Sequence, residues 1–422
     1  MNKPPQTPQN HTEPPFLGWR MVQVAFFVDF IAVGFFFYSY SVFFKALSEE
    51  FGGSRLEAAL GLTVANVVAA LLSPNLGRFL DRLPIKFIMT GGAITVSCGF
   101  VLLSQITAQW QFYLILGTFI AFGTTAMGGL ASSKLVANWF VIKRGTALGI
   151  ATMGISLSGL IMPVLATWLI ENLSWRGAFL AYGAGTFFLV SPIALFFVIN
   201  RPEDVGQFPD NITPAHHSEG MPTLEDEVPH SVAAIFRTPM YWKIALTFAL
   251  ILACLSPILT NMVPYATDQG LASYEGATIL SFCAGAGVLG KVIFGIIFDR
   301  YNPKLALFLS VSIQLIGLIL LMQCREFYQF AISASLFGFG MGGVVPLQGA
   351  LIGNLFGRHS FGKAMGLLRP TMLPIHLAGL PLSNYIFDLY GSYEKAFYLF
   401  LAGYVTALIL ISSFKLSPTS DK

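Results

Sequence analysis

Charge is scarce in this chain. Asp, Glu, Lys and Arg make up 11% of its 422 residues, against about 25% in an ordinary soluble protein. That shortfall excludes two or three soluble domains, which length alone would allow. Histidine is also sparse. Of six in the chain, His11, His216, His217, His230 and His359 fall in tails or loops, and no metal-ligand spacing is present. The four cysteines, Cys98, Cys254, Cys283 and Cys324, lie in or beside apolar runs without paired spacing. They read as small core residues, so neither a disulfide framework nor a thiolate metal centre is expected. No catalytic cluster or cofactor motif stands out, so neither an enzyme nor a cofactor is expected. The net charge of +3 is spread over loops and leaves no nucleic-acid footprint. Residues 1–18 have no apolar core and are rich in proline, so a disordered tail rather than a cleaved signal peptide is expected.

Apolar residues are what the chain does have: 55% of it, with a mean hydropathy of +0.69. Long apolar runs recur from Met21 to Phe414. Each suits a hydrocarbon core about 30 Å thick, which predicts an all-α polytopic membrane protein. The runs number twelve: 20–46, 57–80, 86–106, 110–138, 144–170, 175–199, 241–267, 276–298, 304–323, 327–355, 362–388 and 393–415. One connection is long. Residues 201–240 carry six prolines and seven acidic residues and read as a linker between two six-helix bundles, 19–200 and 241–416, with a short tail at 417–422. Sorting the 24 Lys and Arg by side puts sixteen with the termini and linker, five opposite, and three, Lys134, Lys291 and Arg369, inside spans. That bias places both termini in the cytoplasm of a cell (inner) membrane protein.

The two bundles repeat one another. Gly77-x-x-x-Asp81-Arg82 returns as Gly295-x-x-x-Asp299-Arg300, and Ser174-Trp175-x-x-Ala178-Phe179 as Ser392-Tyr393-x-x-Ala396-Phe397, both 218 residues on. Asn138-x-Phe140 returns as Asn354-x-Phe356 after 216 and Gly149 as Gly366 after 217. Parallel repeats with a midplane site between them are the plan of many secondary transporters. In the fifth span Gly145, Gly149, Gly154 and Gly159 recur every four or five residues, which predicts close helix packing; backbone lining a substrate path is the other reading.

Three ionisable residues share a depth. Lys291 lies eight residues before Asp299, Arg369 eight after Phe361, and Asp29 about nine into the first span. At ~1.5 Å per residue each is about 12–15 Å from the linker side, near the midplane. Two unpaired cations there would cost roughly 5–7 kcal/mol; an anionic substrate, Asp29, or both would offset it. Each has a plainer reading. Lys291 could snorkel toward Asp299, Arg369 could be paired structurally, and Asp29 could be a fixed counter-ion rather than a proton carrier. His376, two turns beyond Arg369, is either a cavity group or a helix contact. Tyr38 is either core or a wall of the substrate space. Lys134, close to the cytoplasmic edge, is expected to snorkel.

The paired G-x-x-x-D-R segments resemble the signature of the major facilitator superfamily. That resemblance implies a fold of two six-helix bundles and a cytoplasmic latch at Asp81, Arg82, Asp299 and Arg300. The usual continuation is broken here, as Leu83-Pro84 and Tyr301-Asn302. A narrower resemblance, to monocarboxylate transporters and oxalate/formate antiporters, rests on several segments. These are Gly18-Trp19, Asn138-Trp139-Phe140, Lys143-Arg144-Gly145, Ala147, Gly149, Gly154, Ser156, Gly159, Arg201-Pro202-Glu203-Asp204-Val205-Gly206 and Val263-Pro264-Tyr265-Ala266-x-Asp268-x-Gly270. The resemblance implies that a cation in the eighth helix, usually arginine and here Lys291, contacts the substrate carboxylate. A second, usually lysine, falls in the eleventh helix, where this chain has Arg369. The first-helix lysine of many animal members is not carried over: Tyr38-Ser39-Tyr40 stands there. The expected function is secondary transport of small organic anions, foremost monocarboxylates, with Lys291, Arg369, Tyr38 and His376 binding substrate and Asp29 as the proton-coupling candidate. A dicarboxylate/monocarboxylate exchanger and an exporter of hydrophobic compounds are the alternatives. The expected partners are the substrate anion, protons and the lipid bilayer.

Overall fold

The computed structural model describes residues 15–51, 55–212 and 229–414. Most of the amino-terminal tail, the middle of the linker and the carboxy-terminal tail expected above lie outside the described residues. Twelve membrane-length helices make up the described chain. They are α1 (Gly18–Phe51), α2 (Arg55–Arg82), α3 (Ile85–Leu103), α4 (Gln109–Trp139), α5 (144–173), α6 (175–197), α7 (Pro239–Asp268), α8 (Ser273–Arg300), α9 (Pro303–Leu321), α10 (Phe327–Phe356), α11 (Phe361–Tyr390) and α12 (Glu394–Ser412). Nine stretches are long and apolar enough to cross a membrane on length and composition. One of them, Arg144–Phe197, folds back at Ser174 (φ 66°, ψ 167°) and is two helices, α5 and α6. The 28-residue α2 and 30-residue α11 complete the twelve. Backbone polar groups cannot be left open in hydrocarbon, which is why apolar runs of this length become helices.

The repeat is visible in the helix bounds. α2 and α8 are both 28 residues long, and α3 and α9 both 19, each pair beginning and ending 218 positions apart. The halves meet along two seams, α2 against α11 and α5 against α8. Glycine makes both seams close. A Cβ at Gly77 would lie 2.0 Å from the Gly362 carbonyl oxygen, and one at Gly149 would lie 2.4 Å from that of Lys291. Within the first half, Gly154 and Gly159 press on α1, against Phe26 and Tyr38. All four glycines of α5 are therefore packing positions. Cys254, Cys283 and Cys324 are buried, but Cys98 is exposed, so it is not the core residue its apolar surroundings suggest.

Several helices are interrupted. π-helical turns at Gly34–Tyr38, Leu116–Ile120 and Thr186–Val190 widen α1, α4 and α6. α4 breaks at Gly128 (φ −95°, ψ −147°), and α10 pauses at the matching Gly343. Pro257 and Pro264 sit inside α7, and Pro370, Pro374 and Pro381 inside α11, each removing a helix hydrogen bond.

Candidate functional site

Asp29, Lys291 and Arg369 converge on the boundary between the halves. Asp29 of α1 is 1% exposed, and neither carboxylate oxygen has a hydrogen-bond partner among the described residues. It sits against the Ser132 hydroxyl and within electrostatic reach of Lys291 and Arg369. Lys291 of α8 is 5% exposed, and its Nζ donates to the Thr152 carbonyl oxygen of α5 at 2.6 Å. It therefore reaches sideways into the other half instead of snorkelling toward Asp299. Arg369 of α11 also crosses the boundary. Its Nη2 lies 3.3 Å from where a Cβ of Gly129 in α4 would stand, and Asp29 Oδ1 lies 3.7 Å from the equivalent point at Gly128. The break in α4 thus gives both charged groups room.

None of the three makes an ion pair with a described residue. Lys291 uses one of its three donors on Thr152; Arg369, with five, has no hydrogen bond to a described residue and stays partly exposed. With Asp29 ionised the cluster carries a net charge of +1. A partly desolvated guanidinium without a hydrogen bond to any described residue is suited to a planar, bidentate anion such as a carboxylate.

The other candidates are placed differently. The His376 ring Nε2 hydrogen-bonds Ser256 Oγ of α7 at 3.0 Å, a contact inside the second half. Tyr38 ends the π-turn of α1, packs on Gly159 and lies near Cys283 of α8, also at the boundary between halves. Lys134 requires a correction. It is 3% exposed and does not snorkel: Nζ pairs with Asp81 at 2.9 Å and donates to the Arg358 carbonyl oxygen. Its partners lie 53 and 224 residues away in sequence, beyond any local reading of the helix edge.

At the linker end the halves are clamped shut. Asp81 Oδ1 and Oδ2 accept the Gly362 and Lys363 N–H groups at 2.9 and 2.8 Å, at the start of α11. Asp299 does the same to Gly145 and Thr146 at 2.7 and 2.6 Å, at the start of α5. A carboxylate at a helix N-terminus satisfies open N–H groups and opposes the helix dipole. Arg82 and Arg300 are exposed and take no part in these contacts. Sequence reading missed Thr152, Ser132 and the Gly128–Gly129 pair. The glycine pair inside an apolar helix was the available signal; the others depend on tertiary neighbours.

The profile of the Major Facilitator Superfamily matches residues 26–372. The chain belongs to this superfamily. It is thus a multi-pass membrane transporter and not an enzyme. Similar superfamily members include Monocarboxylate transporter 13 of Rattus norvegicus, 26% identical over 92% of this chain and 87% of the relative. Monocarboxylate transporter 2 of Homo sapiens is 24% identical over 92% and 84%. Among solved structures, the human organic anion transporter MFSD10 (TETRAN) superposes with a TM-score of 0.68 at 14% identity, covering 94% of this chain and all of that one. The E. coli fucose:proton symporter FucP gives 0.70 at 14%, covering 95% and 99%. At those identities the structures speak for the fold alone.

Proposed function

We propose that this protein carries small organic anions, foremost monocarboxylates, across the cell membrane by alternating access. The observation that carries the reading is Arg369, a guanidinium at the boundary between halves without a hydrogen bond to any described residue. Lys291 adds a second positive charge from the same half, and Asp29 answers from the other. The similarity to monocarboxylate transporters supports the substrate class. A carboxylate seated among these groups would contact both halves, so its binding bears directly on their rocking. In this reading the bundles are 19–200 and 241–416, the linker 201–240 and both tails are cytoplasmic, and Asp81 and Asp299 hold the cytoplasmic side closed. Tyr38 and His376 line the path on the far side of the charges.

Counterflow of labelled monocarboxylate in proteoliposomes tests it. Lys291→Ala and Arg369→Ala are expected to lower exchange at least ~100-fold, the scale of losing a charge-assisted contact of about 3 kcal/mol. Near-normal exchange in both, with the protein folded, would refute it.

Asp29 supplies the coupling in this proposal. Protonated, it leaves the cluster at +2; ionised, at +1. The +1 state balances a monoanion and the +2 state attracts it more strongly, which ties proton uptake to anion binding; the +2 state also balances a dianion, so dicarboxylate exchange is the second reading, favoured by the presence of two cations. In proton symport, uptake rises as the pH on the substrate side falls. Asp29→Asn is then expected to abolish the response to an imposed pH gradient while exchange persists. A gradient response that survives the substitution would exclude Asp29 as the carrier.

A further inference from the structure

The linker does more than join the halves. After α6 it forms two 3-10 turns, Pro202–Val205 and Pro209–Asn211. Asp210, at φ 56°, directs its carboxylate into the loop between α4 and α5. It accepts the N–H groups of Val141, Ile142 and Lys143 at 2.7, 2.8 and 3.0 Å. Seven residues earlier, Glu203 reaches the other way. Its Oε1 pairs at 2.5 Å with Arg358 Nη1, in the loop between α10 and α11. At the far end of the linker, the His230 N–H donates to Ser360 Oγ and the His230 carbonyl accepts from Lys363 Nζ, both at 2.7 Å. The two loops held this way follow the repeated Asn138-x-Phe140 and Asn354-x-Phe356, so one linker grips the equivalent loop of each half.

Arg358 connects this grip to the latch. Its carbonyl oxygen accepts from Lys134, and Lys134 pairs with Asp81, which caps α11. Two ion pairs, Asp81–Lys134 and Arg358–Glu203, are thus joined through the Arg358 carbonyl oxygen from α2 to the linker. The Arg358 side chain is 8% exposed and that of Glu203 35%, so water only partly screens their pair.

We propose that residues 201–212 form a third clasp on the linker-side gate, with Glu203–Arg358 as the contact that opens and Asp210 as the anchor that stays. The proposal rests on the alternating-access reading but not on the substrate. Asp210 holds the half from which the linker emerges, so rocking does not separate them. Three backbone N–H groups on one carboxylate also make a firm anchor. Glu203 holds the opposite half, and its pair must part when the α10–α11 loop moves away. The arrangement is one-sided. Val141 and Ile142 stand in the first half where Arg358 stands in the second, so the clasp reinforces the Asp81 latch and leaves the Asp299 latch unaided.

The test uses full-length protein in detergent, with the native cysteines replaced and Leu148→Cys as reporter. Leu148 is 1% exposed, in α5 facing Gly349 of α10, and becomes reachable only when the linker side opens. Glu203→Gln and Arg358→Gln are each expected to speed maleimide labelling roughly 5–30-fold. The double variant should match the larger single, because the Glu203–Arg358 pair is already lost in each. The exchanged pair Glu203→Arg with Arg358→Glu should return toward the parent rate. Asp210→Ala should speed labelling only while Glu203 is present. Unchanged labelling in both singles, additive effects in the double, or a rise that merely follows a fall in thermal unfolding midpoint would overturn the proposal. Labelling needs no substrate, so failure of the carboxylate reading would show up separately, in counterflow.

Discussion

A cation inside a membrane span needs something to offset its desolvation, and the three in this chain are served differently. Lys134 has a full ion pair with Asp81 at 2.9 Å. Lys291 has one carbonyl oxygen, and Arg369 no hydrogen-bonding protein group among the described residues. Protein contacts thus fall away in that order, from Lys134 to Arg369. Removing Lys134 leaves a 3%-exposed carboxylate side chain without its cation, a loss of about 3–5 kcal/mol for a buried pair. Lys134→Ala is therefore expected to lower the thermal unfolding midpoint clearly, whereas Arg369→Ala, which breaks no hydrogen bond to a described residue and leaves Asp29 with Lys291 in reach, should lower it much less. The reverse ranking would show that Arg369 is a structural residue. Sequence position alone put all three inside spans, but helix depth does not say where a long side chain points. Lys134 was misread because its partners come from α2 and the α10–α11 loop.

At the level of helices, the seams work because they lack side chains. A Cβ at Gly77 would meet the Gly362 carbonyl oxygen at 2.0 Å and one at Gly366 would meet that of Ser73 at 2.4 Å. Backbone cannot yield as a flexible side chain can, so Gly77→Val must push α2 from α11 and spoil the Asp81 cap on Gly362. Labelling of the Leu148→Cys reporter should rise, and exchange should fall; an unchanged rate would mean that the seam tolerates the added bulk. The turn between α5 and α6 offers an opposite case. Ser174 adopts φ 66°, ψ 167°, a region almost reserved for glycine. Ser174→Gly should stabilise the protein by about 1 kcal/mol without altering transport. The helices and their repeat were legible because apolar period and motif spacing are local properties, and α2 and α8 show it by keeping the 218-residue offset at both ends. The π-turns were not, since nothing in a run of apolar residues marks where a neighbour will press, and the break at Gly128 was signalled only by the glycine pair there.

Over the whole molecule, one end is closed by cross-half contacts and the charged site lies between the halves. Asp81 and Asp299 each cap a helix of the opposite half, so opening that end breaks both caps together. Charges at the boundary between the halves sit where they can sense both bundles, and a bound anion would bridge Arg369 and Lys291 of one half to the α4 and α5 backbone of the other. We propose that a small carboxylate occupies this position. Its most direct measurement is a thermal-shift screen of purified protein with lactate, pyruvate, oxalate, formate and aromatic acids. A ligand at ~100 times its Kd stabilises by about 2.7 kcal/mol. The expected result is that at least one monocarboxylate raises the unfolding midpoint of the parent protein and leaves Arg369→Ala and Lys291→Ala unmoved. No shift with any of these acids, or a shift undiminished in both variants, would contradict it.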